Sequence, residues 1–168
     1  YHNSYGYELW KSDGTATGTA LVKDIRSGSS SSSPSYIASF GSLMLFTAYT
    51  ATIGTELYRT DGTAAGTYLL KDIRTGTSSS SPNITFPAIV SGEFYFKAYH
   101  NSYGWELWKT DGTTTGTVLV KDIYVGTSSS SPTEFLVNGT DLYFSAYLSA
   151  TGREVYKLSS GTVSLVKD

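Results

Sequence analysis

Four glutamates recur along the chain at nearly even spacing. Glu8, Glu56, Glu106 and Glu154 lie 48, 50 and 48 residues apart. Paired carboxylates can act as acid and base in glycoside hydrolysis, but that reaction needs one asymmetric pair with two different environments. A carboxylate copied once per repeat is not such a pair. Pairing across strands with the lysine of the recurrent Lys-Asp dipeptides, such as Lys23, Lys71 and Lys121, is the simpler expectation. The two histidines, His2 and His100, sit in equivalent loops and do not suggest one Ser-His-Asp centre. The sequence holds no His-Glu-x-x-His zinc motif, phosphate-binding loop or Gly-x-Ser-x-Gly elbow. The expectation is a protein that is not an enzyme, with no cofactor and no metal site.

Two other groups of residues could bind a ligand. Tyr1-His2-Asn3-Ser4-Tyr5-Gly6 is repeated as Tyr99-His100-Asn101-Ser102-Tyr103-Gly104. Aromatic rings beside amide and hydroxyl groups can stack on a sugar and hydrogen-bond to it. His2, Asn3, Tyr5, His100, Asn101 and Tyr103 are therefore candidate sugar-binding residues, against a plain reading of polar turns with packed tyrosines. Asp13-Gly14-Thr15, Asp61-Gly62-Thr63 and Asp111-Gly112-Thr113 offer carboxylates that could bind calcium or sugar. They lack the dense acidic pattern of a calcium loop. A turn that fixes strand register explains them, with Asp closing onto the following backbone and Gly accepting positive φ. A second glycine four residues on, as at Gly18, suggests another position of that kind. Trp10, Trp105 and Trp108 lie in or beside expected strands and read as packing residues.

The elements that hold these residues follow from the repeats. Lys-Asp dipeptides and serine tracts ending in Pro34, Pro82 and Pro132 share the period near 49. Residues 1–25 match residues 99–123 at 21 of 25 positions, so alternate repeats form subtypes. In the third repeat, β-rich segments run over 85–90, 94–99, 105–110 and 118–123, bounded by turn residues. No helical period is visible. Leu43-Met44-Leu45-Phe46, Phe94-Tyr95-Phe96 and Leu142-Tyr143-Phe144 are apolar on consecutive residues, which implies strands covered on both faces. The expected fold is all-β: propeller-like tandem four-stranded blades of about 49 residues, about three and a half repeats. A β-solenoid is the alternative. The repeat boundaries are 1–25 (a half repeat), 26–73, 74–123 and 124–168, within one repeat domain.

Composition narrows the functional classes. Charged residues are 15% of the 168, whereas Ser and Thr number 26 and 23. Solubility therefore rests on hydroxyls, glycines and phenols. The net charge of -2 and the absence of a basic stripe argue against nucleic acid and against an anionic membrane surface. No run of about 20 apolar residues offers a span, so no membrane insertion is expected. There is no cysteine, hence no disulfide and no thiol nucleophile.

Glu8-Leu9-Trp10-Lys11-Ser12-Asp13-Gly14-Thr15 resembles the ELWxxDGT repeat of bacterial secreted and surface proteins. The second copy has Tyr58 in place of Trp, and the fourth, Glu154-Val155-Tyr156-Lys157-Leu158-Ser159-Ser160-Gly161-Thr162, lacks Asp-Gly. The resemblance covers essentially the whole chain. It implies tandem β-repeats, as propeller blades, in large extracellular proteins, and it brings no reaction with it.

The half repeat leaves its two strands without the partners that the other repeats have, and an unpaired edge is an association site. Self-association through unpaired strands, or completion by the rest of a longer chain, is expected. The serine tracts read either as flexible connectors or as O-glycosylated segments. The second reading makes Ser29, Ser30, Ser31, Ser32 and Ser33 acceptors, with Ser78, Ser79, Ser80 and Ser81, and Ser128, Ser129, Ser130 and Ser131. Asn83-Ile84-Thr85 and Asn138-Gly139-Thr140 make Asn83 and Asn138 N-glycosylation candidates. The functional expectation is an extracellular or cell-surface structural or adhesive repeat module in a surface assembly or glycosylated fibre. A multivalent carbohydrate-binding propeller lectin, with glycans as partners, is the alternative.

Overall fold

The structure is a computed structural model that describes residues 1–168. It is all-β, with 14 strands in four antiparallel sheets and no helix. A two-stranded sheet comes first: β1 (Leu9–Lys11) and β2 (Ala20–Lys23). Three four-stranded meanders follow. They are β3 (Ser35–Phe40), β4 (Leu43–Thr50), β5 (Gly54–Thr60) and β6 (Tyr68–Lys71); β7 (Asn83–Val90), β8 (Glu93–His100), β9 (Gly104–Thr110) and β10 (Val118–Lys121); and β11 (Thr133–Asn138), β12 (Asp141–Leu148), β13 (Gly152–Ser159) and β14 (Thr162–Lys167). In each meander the strands pair in sequence order, which is the blade-like repeat that the sequence predicts.

The chain divides into two compact units, Tyr1–Ser81 and Pro82–Asp168. In the first, Leu9 and Val22 of the two-stranded sheet pack against Phe46, Ala48 and Tyr58 of the next sheet. In the second, Tyr95 and Leu107 of one meander pack with Leu142, Phe144, Tyr156 and Leu158 of the other. Consecutive apolar residues in the second strands are buried on both faces, as at Leu45 and Phe46 and at Phe94, Tyr95 and Phe96. Burying a large side chain contributes about 1.5–3 kcal/mol, so these strands anchor each sheet.

The lysine of the Lys-Asp dipeptide ties one sheet to the next within a unit. Lys23 Nζ donates to the Thr67 and Ala64 carbonyls in the β5–β6 hairpin. Lys121 Nζ donates to the Val163 carbonyl of β14 at 3.0 Å. These contacts replace the Glu–Lys pairing that the sequence suggests. A lysine stem covers apolar surface while its head reaches carbonyls in the last hairpin of the next sheet.

The Asp-Gly-Thr turns close as expected. The Asp61 carboxylate accepts from the backbone N–H of Thr63 at 2.9 Å and from its hydroxyl at 2.7 Å. Asp13 and Asp111 make the same pair of bonds with Thr15 and Thr113. Gly14, Gly62 and Gly112 have φ of 90°, 85° and 84°. The second glycine has a different reason from the one expected. A Cβ on Gly18, Gly66 or Gly116 would lie about 2 Å from the Asp carboxylate of the same turn. Close approach, not positive φ, excludes a side chain there.

Candidate functional site

Three of the four recurrent glutamates, Glu8, Glu56 and Glu106, are the centres of a buried polar clip, while Glu154 is only half-buried. Glu56 and Glu106 are fully buried and Glu8 nearly so. The Glu106 carboxylate accepts from the backbone N–H of Ile123 at 3.1 Å, the N–H of Ser130 at 2.9 Å and the Ser130 hydroxyl at 2.6 Å. Glu8 takes the same bonds from Ile25 and Ser32, and Glu56 from Ile73 and Ser80. Burying a carboxylate is costly unless donors surround it, and these are backbone and serine donors with no cation. Desolvation still outweighs the donors at Glu56, whose pKa rises to about 7, and it raises Glu106 as well.

Each serine tract is fixed by this clip, residue by residue. The hydroxyls of Ser31, Ser79 and Ser129 accept from the backbone N–H of Tyr7, Thr55 and Trp105, at 3.0, 2.8 and 3.0 Å. The next serine enters the glutamate. The third, Ser33, Ser81 or Ser131, has φ of 48°, 47° or 45° and donates its N–H back to the carbonyl of Tyr7, Thr55 or Trp105. The tract is an ordered strap across the start of the third strand, and the flexible-connector reading is corrected accordingly. Gly54 and Gly104 complete the fit. A Cβ on either would come within 2.6 or 2.4 Å of the strap backbone.

This geometry sorts the candidate glycosylation residues. Ser32, Ser80 and Ser130 are fully enclosed and bonded to glutamate, so their hydroxyls are not available as acceptors in the folded chain. Ser30, Ser31, Ser79, Ser129 and Ser131 are half-buried. Ser29, Ser33, Ser78, Ser81 and Ser128 are exposed. Asn83 at the start of β7 and Asn138 at the β11–β12 turn are both exposed. The clip is the feature that a reading by residue type missed. Its signal is a constant offset of 24 residues from Glu8, Glu56 and Glu106 to Ser32, Ser80 and Ser130.

The aromatic loops are internally stapled. His2 stacks on Tyr5 with ring centroids 4.8 Å apart, and His100 on Tyr103 at 4.6 Å. Each histidine Nδ1 accepts a backbone N–H two residues on, from Ser4 or Ser102 at 3.1 Å. Trp10 and Trp108 lie behind the histidines at 5.7 and 6.2 Å. His2 and Asn3 are exposed, as is Asn101, while His100, Tyr5 and Tyr103 are half-buried. The structure therefore brings His and Tyr together in both copies as a small aromatic shelf.

The first sheet has an open edge. β1 pairs with β2 alone, whereas β5, β9 and β13 each pair on both sides. On β5 the second side is β4, with Phe46 opposite Tyr58 and Ala48 opposite Glu56. Without such a partner Trp10 is 39% exposed, against 4% for its equivalent Trp108. A groove of about 670 Å³ runs beside the edge, lined by Tyr7, Leu9, Trp10, Pro34 and Ile37 among others.

No family model matches the chain, and no curated protein matches it.

Proposed function

We propose that the chain is a structural or adhesive repeat module of an extracellular assembly, joined to its neighbours by strand pairing at β1. The observation that carries this reading is the open edge beside exposed Trp10 and Tyr7. Main-chain groups along an open edge supply hydrogen bonds to an added strand, and pockets for alternate side chains supply selectivity. The partner strand has the character of β4, β8 and β12, with an aromatic residue opposite Trp10 and an alanine opposite Glu8. Such a strand comes from more of the same polypeptide or, because β4, β8 and β12 are already paired on both sides, from another copy that opens one of its own sheets. A contact of this kind between different surfaces builds filaments where the rotation between copies does not close into a ring. The resemblance to ELWxxDGT repeats of secreted and surface proteins supports the extracellular setting, and exposed Ser29, Ser78 and Ser128 suit a glycosylated fibre.

Sedimentation velocity over a hundredfold concentration range, with electron microscopy of the same material, tests the proposal. Concentration-dependent association or regular filaments are the expected result. A strictly monomeric species throughout overturns it.

A second reading is supported by the paired His–Tyr shelves, which offer two equivalent stacking surfaces for sugar rings. On that reading the module is a multivalent carbohydrate-binding protein.

A further inference from the structure

The third repeat breaks the pattern of the others at one place, in two ways. First, it is longer. Pro34 precedes Glu56 by 22 residues, and Pro132 precedes Glu154 by 22, but Pro82 precedes Glu106 by 24. The two additional residues fall in β7. The registers of β3 on β4 and of β11 on β12 slip within Ser35–Ala38 and Thr133–Leu136, whereas that of β7 on β8 slips between Asn83 and Ala88. A longer bulge lets the strand leave its partner and re-aim a side chain. Here it leaves Phe86 71% exposed.

Second, the residues at the base of this bulge are different in kind. In the flanking repeats the first bonded pair is Ser35 with Thr47 and Thr133 with Ser145, hydroxyl to hydroxyl at 2.9 Å in both. In the third repeat the pair is Asn83 with Lys97. The Lys97 ammonium lies 5.6 Å from the Trp105 ring centroid and has no hydrogen-bonded or ion-paired acceptor. A second cation lies close by. Arg153 donates to the Ser131 carbonyl, Thr133 Oγ1 and Ser145 Oγ, which fixes its guanidinium. Burial, followed by the Arg153 charge, pulls the Lys97 pKa below its ordinary value.

Both departures meet in one cavity of about 480 Å³ in the second unit. Asn83, Phe86, Lys97, Pro132, Thr133, Glu134 and Phe135 line it. Two phenylalanines and a proline give it apolar walls. Structural repetition explains neither the inserted Phe86 nor a half-buried lysine that has an aromatic ring beside it but no acceptor. A half-buried cation beside another cation gains from an anion that displaces its remaining water. Glu134, exposed at the rim, disfavours a ligand with more than one negative charge.

We propose that this cavity binds a small organic monocarboxylate, with its carboxylate on Lys97 and its flat or apolar face against Phe86 and Phe135. Asn83 supplies its amide N–H groups to any polar substituents, its Oδ1 already accepting from the Thr85 N–H, while the Thr133 hydroxyl is engaged by Ser145 and Arg153. The site is separate from the β1 edge and from the His–Tyr shelves, so it stands whether or not the proposed assembly does.

The experiment is ligand-detected NMR and calorimetric titration of the whole chain with two probes, benzoate and glucuronate. Benzyl alcohol and glucose are the uncharged controls. Binding of either acid, at least tenfold tighter than its control, is expected. Benzoate alone assigns the site to aromatic or apolar acids, and glucuronate to sugar acids. Lys97→Thr places the second repeat's residue at this position and should abolish binding. Asn83→Ser with Lys97→Thr rebuilds the hydroxyl pair of the second repeat, and an unchanged melting temperature shows that the fold survives. No binding of either acid, equal binding of the uncharged controls, or full binding by the folded Lys97→Thr variant overturns the proposal.

Discussion

Ser80 donates both its backbone N–H, at 2.8 Å, and its hydroxyl to the carboxylate of Glu56, 24 residues earlier in the chain. One short polar side chain and one carboxylate thereby pin the strap between repeats to the middle of a sheet. Ser130 with Glu106 and Ser32 with Glu8 repeat the arrangement. Glu8, Glu56 and Glu106 thus act as hubs for backbone donors, and the donors that reach them are N–H groups and serine hydroxyls.

Removing the hub should cost more than removing one spoke. Glu106→Ala orphans the N–H groups of Ile123 and Ser130 in a buried site, and each unsatisfied group costs about 1–3 kcal/mol. We expect a loss of about 3–5 kcal/mol for Glu106→Ala and about 1–2 kcal/mol for Ser130→Ala. Urea unfolding of both variants and their double variant checks this. A double variant no less stable than Glu106→Ala alone shows that the two act through one another.

Stability should depend on pH through Glu56. Its folded pKa of about 7 lies above the ordinary 4.5, chiefly because of burial. The folded chain therefore binds more protons than the unfolded chain between these values. The contribution of Glu56 is fully present below about pH 4.5 and is lost as pH rises through 7, by about 3 kcal/mol at most. Glu106 acts in the same direction. Melting curves from pH 5 to 8 should show a falling midpoint in the parent chain and a shallower fall in Glu56→Gln. Equal slopes would refute the assignment.

The Asp-Gly-Thr turn predicts a coupling between two positions that are five residues apart. Gly66→Ala would bring a methyl group about 2 Å from the Asp61 carboxylate, which must then move. A loss of about 1–3 kcal/mol is expected. In the Asp61→Ala background the obstacle is gone, so Gly66→Ala should cost only a few tenths of a kcal/mol. A double-mutant cycle by chemical denaturation measures the difference.

Glycines at one repeat position should respond unequally. Gly104 and Gly152 both have positive φ, at 67° and 83°. A Cβ on Gly104 would meet the Ser128 carbonyl at 2.4 Å, while one on Gly152 would meet nothing within 4 Å. Gly152→Ala should therefore cost only the conformational penalty, about 1 kcal/mol. Gly104→Ala should cost at least twice as much because the strap must shift. Thermal unfolding of the two variants separates these effects.

The aromatic shelves give a test of sugar recognition. Tyr5→Ala with Tyr103→Ala removes one ring of each stacked pair from partly exposed loops. Glycan-array binding should disappear while the circular dichroism spectrum is kept. Unchanged glycan binding dismisses these loops as sugar sites.

The sequence alone determined the period, the strand count, the meander order and the Asp-closed turns. These features are local. Alternating and continuous apolar runs set strand type, and Asp-Gly-Thr closes its turn within a few residues. The 50-residue spacing between Glu56 and Glu106 already marked the longer repeat. Tertiary structure decided what the recurrent polar residues do. Whether Glu8 meets Lys23 or Ser32 depends on which donors arrive at a buried carboxylate, and those donors come from a strap 24 residues away. The same holds for Gly18, whose need for a bare Cα arises from the Asp13 carboxylate folded over it. The Lys97 cavity is the extreme case. Its residues come from β7, β8, β11 and the proline that precedes β11, and only the packing of two adjacent sheets brings Phe86, Lys97 and Phe135 around one volume. Residue type tells which groups need partners, and burial in three dimensions selects the partners.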